Sequence, residues 1–253
     1  MGFMQKTSGK LAHFLSEPHS DNAEVATSAP EVLQACLQAG DVLLVDGSSR
    51  ISTAIKYLTQ SSWSHATLYV GDLLDPATLG NEARVLIEAD INDGVRAISL
   101  SEYSGIHTRI CRPVGLSPEK INHLCQFALE RIGQRYDLKN IFDLARYLIP
   151  TPFVPTRWRR RLLALGSGDP TRAICSSLIA QAFQSVRYPI LPEVFQQKSS
   201  DPACKKCYRD ILHIRHHSLF TPRDFDVSPY FQIIKPTIEQ GFEPASLLWE
   251  EDD

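Results

Sequence analysis

The chain has 253 residues, with 26 Lys and Arg against 29 Asp and Glu, and therefore carries a formal net charge of -3. Its hydrophobic fraction of 43% and charged fraction of 22% are those of an ordinary globular protein. These values exclude a collagen-like or wholly disordered chain. Because the charge shows no basic excess, we expect no nucleic-acid partner.

The compartment follows from what the sequence lacks. No uninterrupted run of about eighteen apolar residues is present, so a transmembrane helix is not expected. The first ten residues show no apolar core followed by a cleavage site, so a secretory signal is not expected either. Six cysteines are too few for a disulfide scaffold in a chain of this length. We therefore expect a cytoplasmic protein with reduced thiols.

The first half of the chain reads mainly as strands. Residues 1–30 are polar and aperiodic, which predicts a flexible leader before one domain over 31–240, with an acidic tail over 241–253. A short helix is predicted over 31–39, a buried strand over 41–46, a helical turn over 51–59 and a strand over 66–70. Further strands are predicted over 84–89, 95–99 and 108–112. No helical pattern interrupts them, so an antiparallel meander is favoured.

The second half reads mainly as helices. Ser117 and Pro118 form a helix start, and apolar periodicity continues to Ile132. Further helices are predicted over 138–148 and 173–186, and a returning strand over 231–234. Residues 150–172 and 198–218 read as insertions or loops within the domain. Strands first and helices afterwards predict the α+β class.

Three residue types in this order suggest acyl chemistry. Cys175 lies in the first turn of a predicted helix, where the helix dipole favours a thiolate, although a buried structural cysteine is the alternative. His65 begins a strand, and Glu88 follows three apolar residues near the end of another. A thiol, an imidazole and an orienting acid are what a cysteine hydrolase needs. Asp90 is a second candidate for the acid.

Five short motifs follow one another along the chain: Gly40-Asp-Val-Leu-Leu, Ser64-His65-Ala with Tyr69-Val-Gly, Ile87-Glu88-Ala, Gly133-Gln-Arg-Tyr136-Asp137, and Cys175-Ser176-Ser-Leu-Ile. In this order they resemble the YiiX-type branch of the NlpC-like cysteine peptidases, a group related to lecithin retinol acyltransferase. The resemblance covers about residues 36 to 235. It implies a circularly permuted papain-like fold, with a small antiparallel sheet or barrel packed against helices.

The resemblance also implies roles for residues. Cys175 would be the nucleophile, His65 the base and then the acid, and Glu88 the orienting group. Tyr136 would steady the oxyanion or the substrate, or else pack as a buried tyrosine. The implied activity is hydrolysis of an amide or ester through an acyl-enzyme, without a cofactor, on a small peptide, amide or lipid. The alternatives are a lipid acyltransferase or thioesterase-like enzyme and a non-catalytic lipid- or peptide-binding module.

Two segments lie outside this pattern. One contains zinc-type ligands at a short spacing, so that a solvated loop is favoured and no metal site is expected; its residues are Cys204, Cys207, His213, His216 and His217. The other is a basic run that suggests peripheral contact with an anionic membrane, although an amphipathic helix packed on the body is the alternative. Its residues are Arg157, Trp158, Arg159, Arg160 and Arg161.

Overall fold

The computed structural model describes residues 26, 28–73, 84–90, 93–134, 174–198 and 208–246. Several predictions from the sequence fall outside these ranges and stay predictions. They concern most of the leader over 1–30, Tyr136, the helix over 138–148, the insertion over 150–172 with its basic run 157–161, the pair Cys204 and Cys207, and the end of the acidic tail.

Eight strands form two antiparallel sheets in the described part of the chain. The strands are β1 (Val42–Val45), β2 (His65–Tyr69), β3 (Arg84–Asp90), β4 (Gly94–Ser99), β5 (Thr108–Pro113), β6 (Glu193–Lys198), β7 (Tyr208–His213) and β8 (Phe231–Ile234). The main sheet has the order β4-β3-β2-β1-β5-β8, and β6 pairs with β7. In the described part of the chain β4 and β8 are both edge strands, so the main sheet is open and does not close into a barrel there.

The helices begin at residues suited to that position. They are α1 (Pro30–Cys36), α2 (Arg50–Thr59), α3 (Pro118–Leu129), α4 (Ile174–Ser185), α5 (Pro222–Asp226) and α6 (Pro236–Glu239). Ser117 caps α3 as predicted, because its side chain accepts a hydrogen bond from the backbone N–H of Lys120. Among these described helices, none is both long enough and apolar enough to cross a membrane.

The α+β class and the antiparallel sheet expected from the sequence are confirmed, and the predicted strands agree with the observed ones to within a residue or two. The segment 198–218, predicted as an insertion or loop, contains strand β7. Its partner strand exposes Val194 and Phe195, and β7 exposes Leu212. Because this hairpin packs little of itself into a core, it lacks the apolar alternation by which strands are recognised.

Helix α4 packs against strands β2 and β3. Its apolar stripe of Leu178, Ile179, Ala182 and Phe183, which the sequence predicts, is fully buried or nearly so. The stripe shares one hydrophobic cluster with four sheet residues, Ala66, Leu68, Ile87 and Ala89. Burial of each of the larger side chains contributes about 1.5–3 kcal/mol to the free energy of unfolding, so this contact fixes α4 on the sheet.

The first motif, Gly40-Asp41, has a structural role at the start of β1. Gly40 has a φ of +91°, and its N–H donates to the carbonyl of Tyr69 at 2.8 Å. The carboxylate of Asp41, 1% exposed, accepts two hydrogen bonds from Arg112, at 2.9 and 2.7 Å. Burial raises the pKa of Asp41, and the hydrogen bonds and charge of Arg112 offset part of that rise. The motif therefore locks β1 to β2 and β5.

Replacement of Gly40 by Ala is expected to lower the free energy of unfolding by about 2 kcal/mol, because an alanine at positive φ is strained and its Cβ would lie 3.3 Å from Cγ2 of Ile121. Gly115→Ala is the matched control. Gly115 also has positive φ, +78°, but a Cβ there meets nothing within 4 Å. Urea unfolding of both variants should show Gly40→Ala as the more damaging by about 1 kcal/mol. Equal losses would contradict the packing argument.

Candidate active site

His65 and Glu88 meet at the rim of the main sheet. His65 is the first residue of β2, and Glu88 lies in the adjacent strand β3. The Nε2 atom of His65 lies 2.7 Å from Oε2 of Glu88. The imidazole is 24% exposed, whereas the carboxylate is only 3% exposed. The structure therefore brings together two of the residues that the sequence predicted to act jointly, with the imidazole facing solvent and the acid behind it.

Two further donors hold the carboxylate of Glu88. The guanidinium of Arg96 donates to Oε1 at 2.7 Å, and the hydroxyl of Tyr103 donates to Oε2. Burial alone would raise the pKa of Glu88, but the hydrogen bond and charge of His65, the hydrogen bond of Tyr103 and the charge of Arg96 outweigh it and lower the pKa to about 2. Glu88 is therefore ionised throughout the physiological range.

The ionised state of Glu88 determines the tautomer of His65. A carboxylate only accepts hydrogen bonds, so Nε2 of His65 must carry the hydrogen in this contact. In the neutral imidazole the basic lone pair is then on Nδ1. The pair with Glu88 consequently orients the ring so that Nδ1 is the atom that takes up a proton.

Asp90, the other acid suggested by the sequence, has a different role. It is the last residue of β3, and its Oδ1 accepts a hydrogen bond from the N–H of Asp93 at 3.0 Å. That contact closes the turn between β3 and β4. Of the two carboxylates, Glu88 is the one that contacts His65.

Cys175 is the second residue of α4, as the helical pattern predicted. Its backbone belongs to the described part of the chain, and its side chain lies outside it. The following Ser176 and Ser177 are buried. Because α4 packs on β2 and β3, the helix that carries Cys175 contacts the two strands that carry His65 and Glu88.

Two other cysteines are buried thiols with no acidic character. Burial raises the pKa of Cys111 well above its ordinary value, and it raises the pKa of Cys125 to about 12. Cys36 is partly exposed. These three thiols are free.

Sequence reasoning missed Arg96 and Tyr103. Arg96 had a usable signal, because Glu88 and Arg96 are cross-strand partners in the β3–β4 hairpin and lie at equal distances from its turn. Tyr103 had none. It lies in a single helical turn, Leu100–Tyr103, and reaches Glu88 only through the tertiary fold.

The zinc alternative gains no support from the described residues. Within the described ranges, no group of three or more His, Cys, Asp or Glu side chains is placed to hold a metal ion. His216 instead stacks near His217, with ring centroids 4.0 Å apart, and its Nδ1 lies 2.8 Å from Oγ of Ser218. A site that includes Cys204 and Cys207 stays untested.

The lowered pKa of Glu88 predicts how stability depends on pH. The folded protein binds this proton more weakly than the unfolded chain, whose glutamate has an ordinary pKa of 4.5. The carboxylate therefore stabilises the fold above about pH 4.5, by on the order of 2 kcal/mol, and this contribution is lost as the pH falls towards 2.

In urea unfolding, Glu88→Gln should be less stable than the wild type at pH 7, and the difference should shrink steadily between pH 4.5 and 2.5. Glu102→Gln, which changes an exposed carboxylate, is the control and should follow the wild type across the whole range. A loss of unfolding free energy in Glu88→Gln that is the same at pH 7 and pH 2.5 would contradict the lowered pKa of Glu88.

Comparison with known proteins finds a family model and solved structures that are similar to this chain. A model of the family described as permuted papain-like amidase enzyme, YaeF/YiiX, C92 family, matches residues 36–147. The match includes His65 and Glu88 and ends before Cys175. A solved structure, the metalloprotein YiiX from Escherichia coli O157:H7, is similar at 17% identity with a TM-score of 0.44, covering 78% of this chain and 96% of that chain. A search of curated proteins finds no match.

The matched family is one of enzymes. Its members are cysteine hydrolases of the amidase and peptidase type, which is the class that the sequence predicted. The relation to lecithin retinol acyltransferase stays a prediction. Residues 36–147, which hold four of the five sequence motifs, are similar to the family of permuted papain-like amidases of the YaeF/YiiX type.

Proposed function

We infer that the chain hydrolyses an amide or ester through an acyl-enzyme, with Cys175 as nucleophile, His65 as base and then acid, and Glu88 as the orienting residue. The observation that carries this proposal is the contact between His65 Nε2 and the ionised, buried Glu88. It supplies the two supporting members of a triad, already oriented, at the rim of the sheet. The packing of α4 on the same two strands supports Cys175 as the third.

The chemistry follows from the tautomer. Nδ1 of His65 takes the proton from the Cys175 thiol, and the thiolate attacks the carbonyl carbon of the substrate to form a tetrahedral intermediate. The protonated imidazole, stabilised by Glu88, then donates its proton to the leaving amine or alcohol as the C–N or C–O bond breaks. Water attacks the resulting thioester, His65 takes its proton, and the acid product and free thiol are released.

The position of Cys175 in the first turn of a twelve-residue helix has two physical effects. The unpaired N–H groups at a helix start stabilise a thiolate. The same N–H groups can donate to the oxyanion that forms on the substrate carbonyl. Tyr136, whose role the resemblance suggested, remains a second candidate for that contact.

Substitution in the triad should abolish turnover while the fold persists. Cys175→Ala is expected to remove hydrolysis of acyl p-nitroanilides and p-nitrophenyl esters, and His65→Ala nearly so. Glu88→Gln should keep more activity, because replacement of an orienting residue lowers turnover less than replacement of the nucleophile. Circular dichroism and urea unfolding serve as the folding control. Substantial activity in Cys175→Ala would overturn the mechanism, and inactivity of the wild type on every substrate would favour the binding-module alternative.

Reactivity of the thiols tests the proposal without a known substrate. Iodoacetamide at pH 6 should label Cys175 at least about tenfold faster than Cys36, because only an activated thiol is ionised at that pH. Cys111 and Cys125 are internal controls, since burial raises their pKa and excludes the reagent. Mass spectrometry of the digested protein identifies each site. Equal labelling of Cys175 and Cys36 would contradict an activated nucleophile.

Tyr103 is proposed as a positioning residue that acts through Glu88. Tyr103→Phe removes one donor from the carboxylate, which leaves more of its negative charge to stabilise the imidazolium and so makes the Cys175 thiolate more favourable. The pH midpoint of iodoacetamide labelling at Cys175 should therefore fall. Tyr57→Phe, at a tyrosine that is 75% exposed on α2, is the matched control and should leave the midpoint unchanged. A shift of equal size in both variants would leave Tyr103 without this role.

A further inference from the structure

A polar cleft of about 310 Å³ opens at the end of the main sheet where β2 begins. Three of its lining residues adjoin neighbouring strands: Asp46 follows β1, Trp63 lies two residues before β2, and His107 precedes β5. The N–H of Asp46 donates to the carbonyl of His107 at 3.0 Å. Because Val45 pairs with His65, the cleft and the imidazole lie at the same rim of the sheet.

The wall of the cleft is rigid. The indole of Trp63 is only 2% exposed and stacks on the ring of His107, with centroids 5.2 Å apart and an angle of 28°. The guanidinium of Arg109 lies 4.9 Å from the centroid of the same indole. The Nε1–H of Trp63 donates to Oδ2 of Asp226 at 3.0 Å. These contacts fix Arg109 on a buried aromatic support, which lowers the entropy cost of using it to bind a ligand.

The acceptors of the cleft are already engaged by the protein. Asp226 accepts from Trp63 and also from NH1 of Arg109, at 2.7 Å. Asp46 accepts from Nζ of Lys56 at 2.6 Å. Both carboxylates therefore have cationic or N–H partners, and neither adds a free negative charge to the cleft.

The donors of the cleft exceed its acceptors. Within the described residues, Arg109 makes one hydrogen bond, to Asp226, and Arg223 makes one, from NH1 to the carbonyl of Thr59 at 3.2 Å. A guanidinium has five N–H donors, so most donors of both arginines remain for a ligand. Arg109 and Arg223 line the cleft together with Asp46 and Asp226. Lys56, outside the lining, pairs with Asp46, so three cations stand against two carboxylates around the cleft.

From this surplus of oriented donors and positive charge, we propose that the cleft binds an anionic group of the substrate, a carboxylate or a phosphate. The planar fork of a guanidinium matches the oxygens of either group in a bidentate contact. That the group belongs to the substrate rests on the proposed function, because the cleft adjoins the strand that carries His65. An amide or ester with an anionic end then places that end on Arg109 and Arg223, and its scissile bond toward His65.

The Trp63 indole N–H reports binding directly. The full chain contains three tryptophans, so ¹⁵N-labelled protein gives three indole signals, and Trp158→Phe and Trp249→Phe assign the Trp63 signal by elimination. The probes are N-acetylglycine, its neutral amide N-acetylglycinamide, and inorganic phosphate, each titrated at constant ionic strength. The Trp63 signal should move in a saturable way with at least one of the two anions and remain in place with the neutral amide.

Arginine variants establish where the anion binds. Arg223→Gln and Arg109→Gln should each lower the affinity of the cleft for the anion by about five-fold or more, since a charged hydrogen-bonding partner is lost. Arg223 is exposed, so its variant tests the site even if Arg109→Gln, which breaks the Asp226 pair, does not fold. Arg187→Gln, at an exposed arginine that does not line the cleft, is the matched control and should bind as the wild type does.

The outcomes distinguish a carboxylate ligand from a phosphate ligand, and they test the cleft separately from the hydrolase mechanism. Binding of N-acetylglycine above phosphate assigns the cleft to a carboxylate, as at the end of a peptide, and the reverse order assigns it to a phosphate. No saturable shift with either anion, an equal shift with the neutral amide, or unchanged affinity in both arginine variants would overturn the cleft proposal. None of these readouts requires turnover, so loss of the hydrolase mechanism leaves the anion site standing, and loss of the anion site leaves the mechanism standing.

Discussion

A buried carboxylate that must stay ionised governs the arrangement of the candidate site. Glu88 is 3% exposed, and an isolated charge at that depth would be strongly unfavourable. Arg96, Tyr103 and His65 together supply the hydrogen bonds that make it tolerable. Because the carboxylate needs these donors, their positions are constrained in turn. The orientation of the imidazole is therefore a consequence of charge compensation inside the protein as well as a requirement of catalysis.

The motifs that carry the family resemblance divide into structural and chemical roles. Gly40 and Asp41 have structural roles. Gly40 adopts a positive φ close to Ile121, and Asp41 accepts a hydrogen bond from Arg112. His65 and Glu88 act at the site. Gly40 and Asp41 directly precede β1, which pairs with β2, and His65 and Glu88 lie on β2 and β3. The structural motif therefore helps to hold the strand beside which the chemical one lies.

The sequence predicted the fold where a local pattern reports burial. Helix α3 has a serine cap and a proline at its start, and α4 has a complete apolar stripe, so both were found with nearly correct bounds. Strand β7 was missed because its described side chains, Leu212 and His213, are exposed and report no burial. At the site, His65 and Glu88 could be found from motif and strand position. Tyr103 could not, because only the tertiary fold brings it to the carboxylate.

The order of the elements along the chain has a consequence for assembly. His65 and Glu88 lie on adjacent strands of a hairpin-rich segment, so the chain needs to close only a short loop to pair them. Helix α4 begins about 110 residues after His65, and its docking on β2 must close that much longer loop. Loop-closure entropy grows with the logarithm of length, and contacts of high sequence separation form more slowly. Synthesis from the ribosome also delivers strands β1 to β5 before helix α4. A nascent chain therefore contains His65 and Glu88 well before it contains Cys175, the proposed nucleophile, which follows only after about two thirds of the chain.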